Sequence, residues 1–370
     1  MNVTLFRDIK EEDWPSMEIY PDELARHLGK VCSDSDSIRQ VSVGPLIPGL
    51  KGKYRAASIY SSRLFKYPLV ASRKQGDINH IVDHTYAHLT HFLDKRKTIV
   101  TCHDLAPLVL RSTLPSRSVG LALWDLALRG MTKAARIIAD SENTRRDVIR
   151  LTDYPPDRID VVHAGVGEGF KPIADPDSLE SARERLSIPR AYIVLHIGHC
   201  GQRKNIEGIL IALSKIIEDG YHQVHFVQVG GFFSQDQQRL IEKLSLQSYV
   251  TQLNYVPSSD LRFLYNLAKV FVFPSHYEGF GFPPLEAMAC GTPVVCSNTS
   301  SLPEIVGDAA ITVEPSDSAA LAAAVERVLG DRQLRAELVA NGIARAKMFS
   351  WETTARRTFA VYQQVHNEAQ

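Results

Sequence analysis

The 370-residue chain has no excess of either charge: 42 Lys and Arg stand against 42 Asp and Glu. Nucleic-acid binders usually carry a basic surplus, so the balance weighs against that class. The five cysteines, Cys32, Cys102, Cys200, Cys290 and Cys296, are odd in number and form no Cys-x-x-Cys pair. That argues against a disulfide framework or a thiolate zinc site and for a reducing compartment. No run approaches the roughly eighteen apolar residues of a membrane span. The N-terminus, MNVTLFRDIKEEDW, reaches charge at Arg7, too early for a signal-peptide core. These absences predict a cytoplasmic protein. There is also no Gly-x-Gly-x-x-Gly after the first strand candidate, 3–6, which runs into RDIKEEDW, so a nicotinamide-dependent dehydrogenase fails.

What is present is an alternation of short β-branched runs and helical patterns, the mark of a parallel sheet built from βαβ units. In the second half, strands are expected over 192–197, 224–229, 251–256, 270–273, 293–296 and 310–313. Helices are expected over 205–218, 236–246, 259–268, 284–289 and 318–329, the third capped by Ser258 or Ser259. The first half yields strands at 3–6, 40–43, 78–82, 98–102, 137–139 and 160–163, with helices at 21–28, 121–136 and 143–151. At roughly 150 residues per domain the length suits two units. The Gly-, Pro- and Asp-rich stretch between Gly165 and Ser187 is the expected join. The expected domains are 1–170, 171–350 and a terminal helix over 351–370. Doubly wound sheets bind ligands at the carboxyl ends of their strands, so two such domains facing each other would form a cleft.

The sharpest segment is PSHYEGFGFPPLEAMACGTPVV, from Pro274 to Val295. It leaves an apolar strand, passes a glycine-spaced loop and enters a helix at Pro283-Pro284, where missing amides are tolerated. Gly279 and Gly281 let backbone amides approach a ligand without a β-carbon in the way. A carboxylate can accept two hydroxyl hydrogen bonds, which suits Glu278 and Glu286 to sugar recognition. The plain alternative is a strand-loop-helix with two solvent-facing glutamates, Glu286 favouring the helix dipole.

This segment resembles the signature of the retaining family 4 glycosyltransferases, two glutamates separated by seven residues around a Gly-Phe-Gly turn. LPEIVGDAA (302–310), HIGHCGQRKNIEGIL (196–210), ADSENTRRDVIR (139–150) and VVHAGVGEGFKP (161–172) continue the same family pattern in matching order. The resemblance implies an α/β fold of two Rossmann-like doubly wound domains facing across a cleft (GT-B). It implies that the nucleotide-sugar binds mainly to the C-terminal domain, and that the C-terminal helix crosses back to the first. Glu278 then matches the glutamate near the donor sugar and Glu286 the one on the nucleotide ribose. The backbone of Gly279, Phe280, Gly281 and Phe282 would lie against sugar and phosphate, with Gly198 also on the donor side.

Arg203 and Lys204 match the basic pair that neutralises the diphosphate. They also stand just before a helix start, where two cations and a helix N-terminus converge on an anion. Read alone, the pair reads better as a solvated helix start. His103, in TCHDL, is the candidate that contacts the donor sugar, with Asp104 beside it. Asp83, His84 and Tyr86 are expected at a strand's carboxyl end facing the acceptor, or else as loop groups satisfying backbone. His80, His84, His88 and His91 would suggest a metal only on a continuous helix. The strand pattern at 78–82 and the resemblance both speak for transfer without a bound metal or other cofactor.

Two positions depart from the family pattern. The Gly-Gly loop of many relatives is replaced by WPSMEIYPDEL, with Ser16-Met17 in the approximate place, and His199 stands where some relatives have an arginine.

The implied reaction is transfer of a sugar from a nucleoside diphosphate sugar to a glycan or lipid-linked glycan, with retention. The donor leans to GDP-mannose, and Lys204→Ala is expected to cut turnover with the fold intact. A non-catalytic nucleotide-sugar-binding subunit is the rival from another class, and a sugar-nucleotide epimerase a weaker enzyme alternative. The zero net charge hides an uneven distribution: residues 51–150 carry eighteen basic and eight acidic side chains, net +10. That block is either a solvated surface or one that meets an anionic acceptor or membrane leaflet.

Overall fold

The computed structural model describes residues 1–9, 15–33, 35–110 and 119–370. Trp14, Arg111 and Arg117, and the side chains of Ser16 and Met17, lie outside the described residues. Two compact units are seen, one of Met1–Gly165 with Ser350–Gln370 and one of Val166–Phe349.

The first unit runs β1 (Asn2–Phe6), α1 (Pro15–Val31), β2 (Ser37–Val41), α2 (Gly52–Ser61), α3 (Tyr67–Arg73), β3 (Ile78–Ile81), β4 (Thr98–Cys102), α4 (Ala106–Val109), α5 (Val119–Met131), β5 (Arg136–Ala139), α6 (Glu142–Leu151) and β6 (Ile159–Val161). The second runs α7 (Pro176–Arg185), β7 (Tyr192–Ile197), α8 (Ile206–Glu218), β8 (Val224–Val229), α9 (Gln235–Lys243), β9 (Val250–Leu253), α10 (Ser258–Leu267), β10 (Val270–Phe273), α11 (Phe282–Ala289), β11 (Val294–Ser297), α12 (Leu302–Val306), β12 (Ile311–Val313), α13 (Ser318–Gly330) and α14 (Arg332–Ala346). The last helix, α15 (Trp351–Glu368), belongs to the first unit.

Each sheet has six parallel strands, ordered β2-β1-β3-β4-β5-β6 and β12-β11-β10-β7-β8-β9. Strands covered on both faces read as unbroken apolar runs. TIVTC in β4 and VFVF in β10 are buried at every position. Helices start where a side chain can take up an orphan amide. Ser141 accepts from Thr144 N for α6, Ser234 and Gln237 form a capping box for α9, and Asp331 accepts from Gln333 N and Leu334 N for α14.

The order of each sheet reverses beside its first strand, between β1 and β3 in one unit and between β7 and β10 in the other. At such a reversal the connections leave to opposite faces and open a crevice at the strands' carboxyl ends. Sequence chemistry collects at both places. The loop after β7 holds Gly198 to Lys204 and the loop after β10 holds Glu278, while Asp83 and His84 follow β3.

Several expectations shift. The join holds a full helix, α7, because Asp175 caps a Pro-led turn. The unit boundary falls at its leading edge, between Gly165 and Val166. α1 begins at Pro15 and carries Pro21 inside it, where position 21 had read as the helix start. Neither Ser258 nor Ser259 caps α10; both lie within it and Pro257 is the boundary. α2, α3 and α14 went unread, since their exposed faces break the apolar period.

The last helix is locked to the first unit. Tyr362 is wholly buried with its hydroxyl 2.6 Å from His80 Nδ1, and His80 Nε2 is 2.7 Å from Thr101 Oγ1. Thr354 Oγ1 donates to His163 O at 2.8 Å, and Trp351 packs edge-on to Tyr20 at 5.5 Å. Gly165 is required here: a β-carbon on it would sit 2.6 Å from Ser350 C and closer still to Trp351 N.

Candidate active site

At the switch point of the second unit, three sequence-predicted residues meet. Lys204 Nζ donates to Glu278 Oε1 at 2.6 Å, and Arg203 Nη2 lies 3.9 Å from Glu278 Oε2. Lys204 and Glu278 are both buried, and the ammonium stands over the Phe273 ring at 4.5 Å from its centroid. Burial alone would push the Glu278 carboxyl up. Lys204 first and Arg203 second outweigh it and hold the group below the usual range.

Asn205 sets this geometry, and the sequence reading used it only as a helix start. Its backbone is left-handed at φ 55°, and its Oδ1 caps α8 by accepting from Gly208 N. Its Nδ2 donates to Pro274 O at 3.2 Å and to Pro315 O at 2.6 Å, binding three loops to one amide. His276 N donates to Arg203 O at 2.9 Å, a second tie between the loops after β7 and β10.

The glycine loop is held from behind. Glu278 N donates to Ser300 Oγ at 2.9 Å, and Ser301 Oγ donates to Glu278 O at 3.1 Å and to Phe280 O at 2.6 Å. Gly281 takes φ 118° at the start of α11, and a β-carbon there would meet Leu302 at 2.8 Å. The Phe280 ring is buried against Phe282 and Phe349, so at that position only the backbone is left to serve a ligand. Gly198 has φ 152°, and a β-carbon there would press on His196 Cε1 and Lys204 Cε at 3.3 Å each. His196 is buried and hydrogen-bonded to Gln228 Oε1 at 2.8 Å. Burial and the Lys204 charge hold it at about 3, a neutral ring.

Glu286 is held separately, on α11. Tyr265, itself buried, donates to Glu286 Oε2 at 2.7 Å. Burial pushes the Glu286 carboxyl up to about 7, even though the phenol's hydrogen bond works in the opposite direction.

In the first unit the expected acceptor side is mostly interior. Asp83 is buried and its carboxylate closes a turn by accepting from Thr85 N and Thr85 Oγ1, both at 2.8 Å. His84 is buried against Trp124, ring centroids 5.2 Å apart. Tyr86 has no exposed surface. Its hydroxyl accepts from Ile9 N at 3.2 Å and its ring lies under Arg63. The expectation that Asp83 and Tyr86 face an acceptor is corrected, because both are buried with their oxygens bonded to Thr85 and to Ile9 N. His84 is buried too, its Nδ1 3.2 Å from Asp83 Oδ1 and its Nε2 without a hydrogen-bond partner among the described residues. Asp104 is partly exposed, and its carboxylate accepts from Ala106 N at 2.9 Å.

His103 is also committed. Its Nδ1 faces Asp140 Oδ2 at 3.2 Å and its Nε2 faces Val82 O at 2.9 Å, two acceptors that only a doubly protonated ring can satisfy. Burial pulls the group down, but the hydrogen bond and charge of Asp140, with Asp83, lift it to about 9. A direct hydrogen bond from either ring nitrogen to a sugar is therefore not on offer, and Asp140, which the sequence pattern contains without a role of its own, is the true neighbour.

This has a measurable consequence. The folded value lies above the ordinary histidine value near 6.5, so the stabilisation is whole below that pH and lost as pH rises through about 9. Urea midpoints should fall between pH 6.5 and 9.5, and His103→Gln should flatten that decline. A pH-independent midpoint over the range would contradict the pairing.

Among the described residues no group of three or more His, Cys, Asp or Glu is placed to hold a metal ion.

The family model described as Glycosyl transferases group 1 matches residues 179–345, and that described as Glycosyltransferase Family 4 matches residues 20–168. O-antigen chain mannosyltransferase B of Escherichia coli is 33 % identical over 301 residues, covering 80 % of this chain and 78 % of that protein. Serotype-specific mannosyltransferase WbdA of Escherichia coli is 34 % identical over 266 residues, 70 % of this chain, which span 32 % of its length. Among solved structures, sucrose-phosphate synthase from Thermosynechococcus elongatus aligns over 98 % of both chains with a TM-score of 0.79 at 22 % identity. Anabaena HepE in complex with UDP and glucose aligns over 97 % of this chain and 98 % of its own, with a TM-score of 0.75 at 18 % identity. At such identities these likenesses carry the fold alone.

Proposed function

The chain belongs to the group 1 glycosyl transferases and has their GT-B fold, and from that premise we propose a retaining mannosyltransferase that uses GDP-mannose. Its acceptor is a hydroxyl of a glycan or lipid-linked glycan in the assembly of an O-antigen-type polysaccharide, at the cytoplasmic side. The mannosyl donor rests on the names of the relatives. The chemistry rests on one observation, the Arg203-Lys204 pair gathered with Glu278 at the switch point before α8.

In this reading the bond from the anomeric carbon to the leaving phosphate oxygen breaks as the acceptor oxygen bonds to that carbon on the same face. The acceptor proton passes to the departing phosphate. Arg203, Lys204 and the start of α8 stabilise the negative charge that develops there. Glu278 orients the sugar while sharing Lys204, and Glu286 accepts the ribose hydroxyls. Two fixed cations meet the diphosphate, so no metal or other cofactor is assigned to the step.

The test is incubation with a panel of nucleotide sugars and a mannose-ended acceptor. Release of GDP with growth of the acceptor by one α-linked mannose is the expected result. Turnover of another nucleotide sugar in preference would overturn the donor, and a β-linked product would overturn retention.

A further inference from the structure

Among the described residues, seven of the fourteen exposed large apolar side chains fall within one short stretch of the first unit: Leu46, Ile47, Leu50, Tyr54, Tyr60, Phe65 and Leu69. The same region has no acidic residue from Ser37 to Gly76, against eight Lys and Arg. Lys51, Lys53, Arg73 and Lys74 are exposed within it. An ordinary solvated helix pairs its basic groups with acidic ones and hides its aromatic rings. This stretch supplies no acidic partner of its own, and Tyr54, Tyr60 and Phe65 are exposed.

The arrangement is built by the fold. α2 runs into α3 through a π-helical turn, Ser62–Lys66. Ile59, Tyr67 and Ala71 are buried on the inner side, while Phe65 is 71 % and Tyr54 62 % exposed on the outer. The extended strip before α2 is pinned alongside it. Ile47 N donates to Ser58 Oγ at 2.8 Å, and Ser62 Oγ donates to Gly44 O at 2.9 Å. Leu46 and Ile47 are thereby fixed outward beside the helix.

We propose that Leu46, Ile47, Tyr54, Phe65 and Leu69, ringed by Lys51, Lys53, Arg73 and Lys74, form a docking face for an anionic lipid bilayer. A soluble polyanion would be matched by the charges alone and would leave the apolar side chains in water. A bilayer interface accepts both, taking rings and aliphatic groups at the acyl boundary and cations at the headgroups. Among the described residues no helix is long and apolar enough to cross a membrane, so this contact is to the surface.

The experiment is co-sedimentation of the full chain with phosphatidylcholine vesicles, with and without a fraction of phosphatidylglycerol. The protein should pellet with the anionic vesicles and stay in solution with the neutral ones. Tyr54→Ser/Phe65→Ser/Leu69→Ser should weaken the partition about tenfold or more. The charge variant Lys51→Ser/Lys53→Ser/Arg73→Ser/Lys74→Ser should weaken it by at least about tenfold and reduce its salt dependence. Both variants should keep the thermal transition and the transfer rate to a water-soluble acceptor, which separates this inference from the mannosyltransferase reading. Absence of wild-type pelleting with anionic vesicles would overturn it. So would wild-type pelleting by the triple-serine variant, which would mark a site for soluble polyanions instead.

Discussion

Lys204→Ala should lower turnover by about a thousandfold and cost the second unit about 3 kcal/mol of stability together. The first effect follows from removing a fixed cation from the phosphate side of a water-poor site. The second follows from its partner. Glu278 is buried and holds a hydrogen bond from Lys204 at 2.6 Å, with Arg203 at 3.9 Å as the remaining cation. Taking the lysine away strands a carboxylate in the interior, so the sequence-level expectation of an untouched fold is revised. The two effects separate in the double variant Lys204→Ala/Glu278→Gln, whose side chains carry no charge. Its urea midpoint should return most of the way to wild type while turnover stays down by at least about a hundredfold. Turnover within tenfold of wild type in the single variant would remove Lys204 from the mechanism.

Gly165→Ala should be nearly as damaging to the first unit, without touching a reacting group. The added carbon would press on the backbone of Ser350 and Trp351, which has no side-chain rotamer through which to yield. Overpacking of this kind costs about 3 kcal/mol at the upper end, or roughly 6 to 12 °C in a domain of this size. Calorimetry should show the loss in the transition that contains α15. An unchanged transition would mean that the chain around Ser350 relaxes freely.

The fold was largely legible because its strands are buried on both faces and so appear as unbroken apolar runs. β7, β8 and β10 fall where the pattern puts them. The helices that escaped, α2, α3 and α14, present much of their surface to solvent or carry a mixed face, and periodicity has little to hold there. At the site, Arg203, Lys204 and Glu278 were found because charge, glycine and a helix start share one short motif each. Asp140 and Tyr265 were missed, since each acts on a partner more than twenty residues away. Asp140 nonetheless had a signal, standing immediately after β5 at the same edge as His103. Tyr86 misled for the complementary reason. Its place after β3 was read correctly, but whether a ring turns inward is decided by Ile9 and Tyr67, which the local sequence does not show.

The assignment of α15 to the first unit also bears on how the protein is made. A ribosome releases β1 to β6 before Val166–Phe349, yet Tyr362, whose hydroxyl meets His80, follows only after that whole segment. At common synthesis rates the whole of Val166–Phe349 takes roughly ten to forty seconds to emerge. Throughout that interval Tyr20 and His80 lack their covering helix, while the second unit has its entire sequence available. The first unit is thus the later of the two to be completed, and its nascent apolar face is the surface for which a chaperone has the most time.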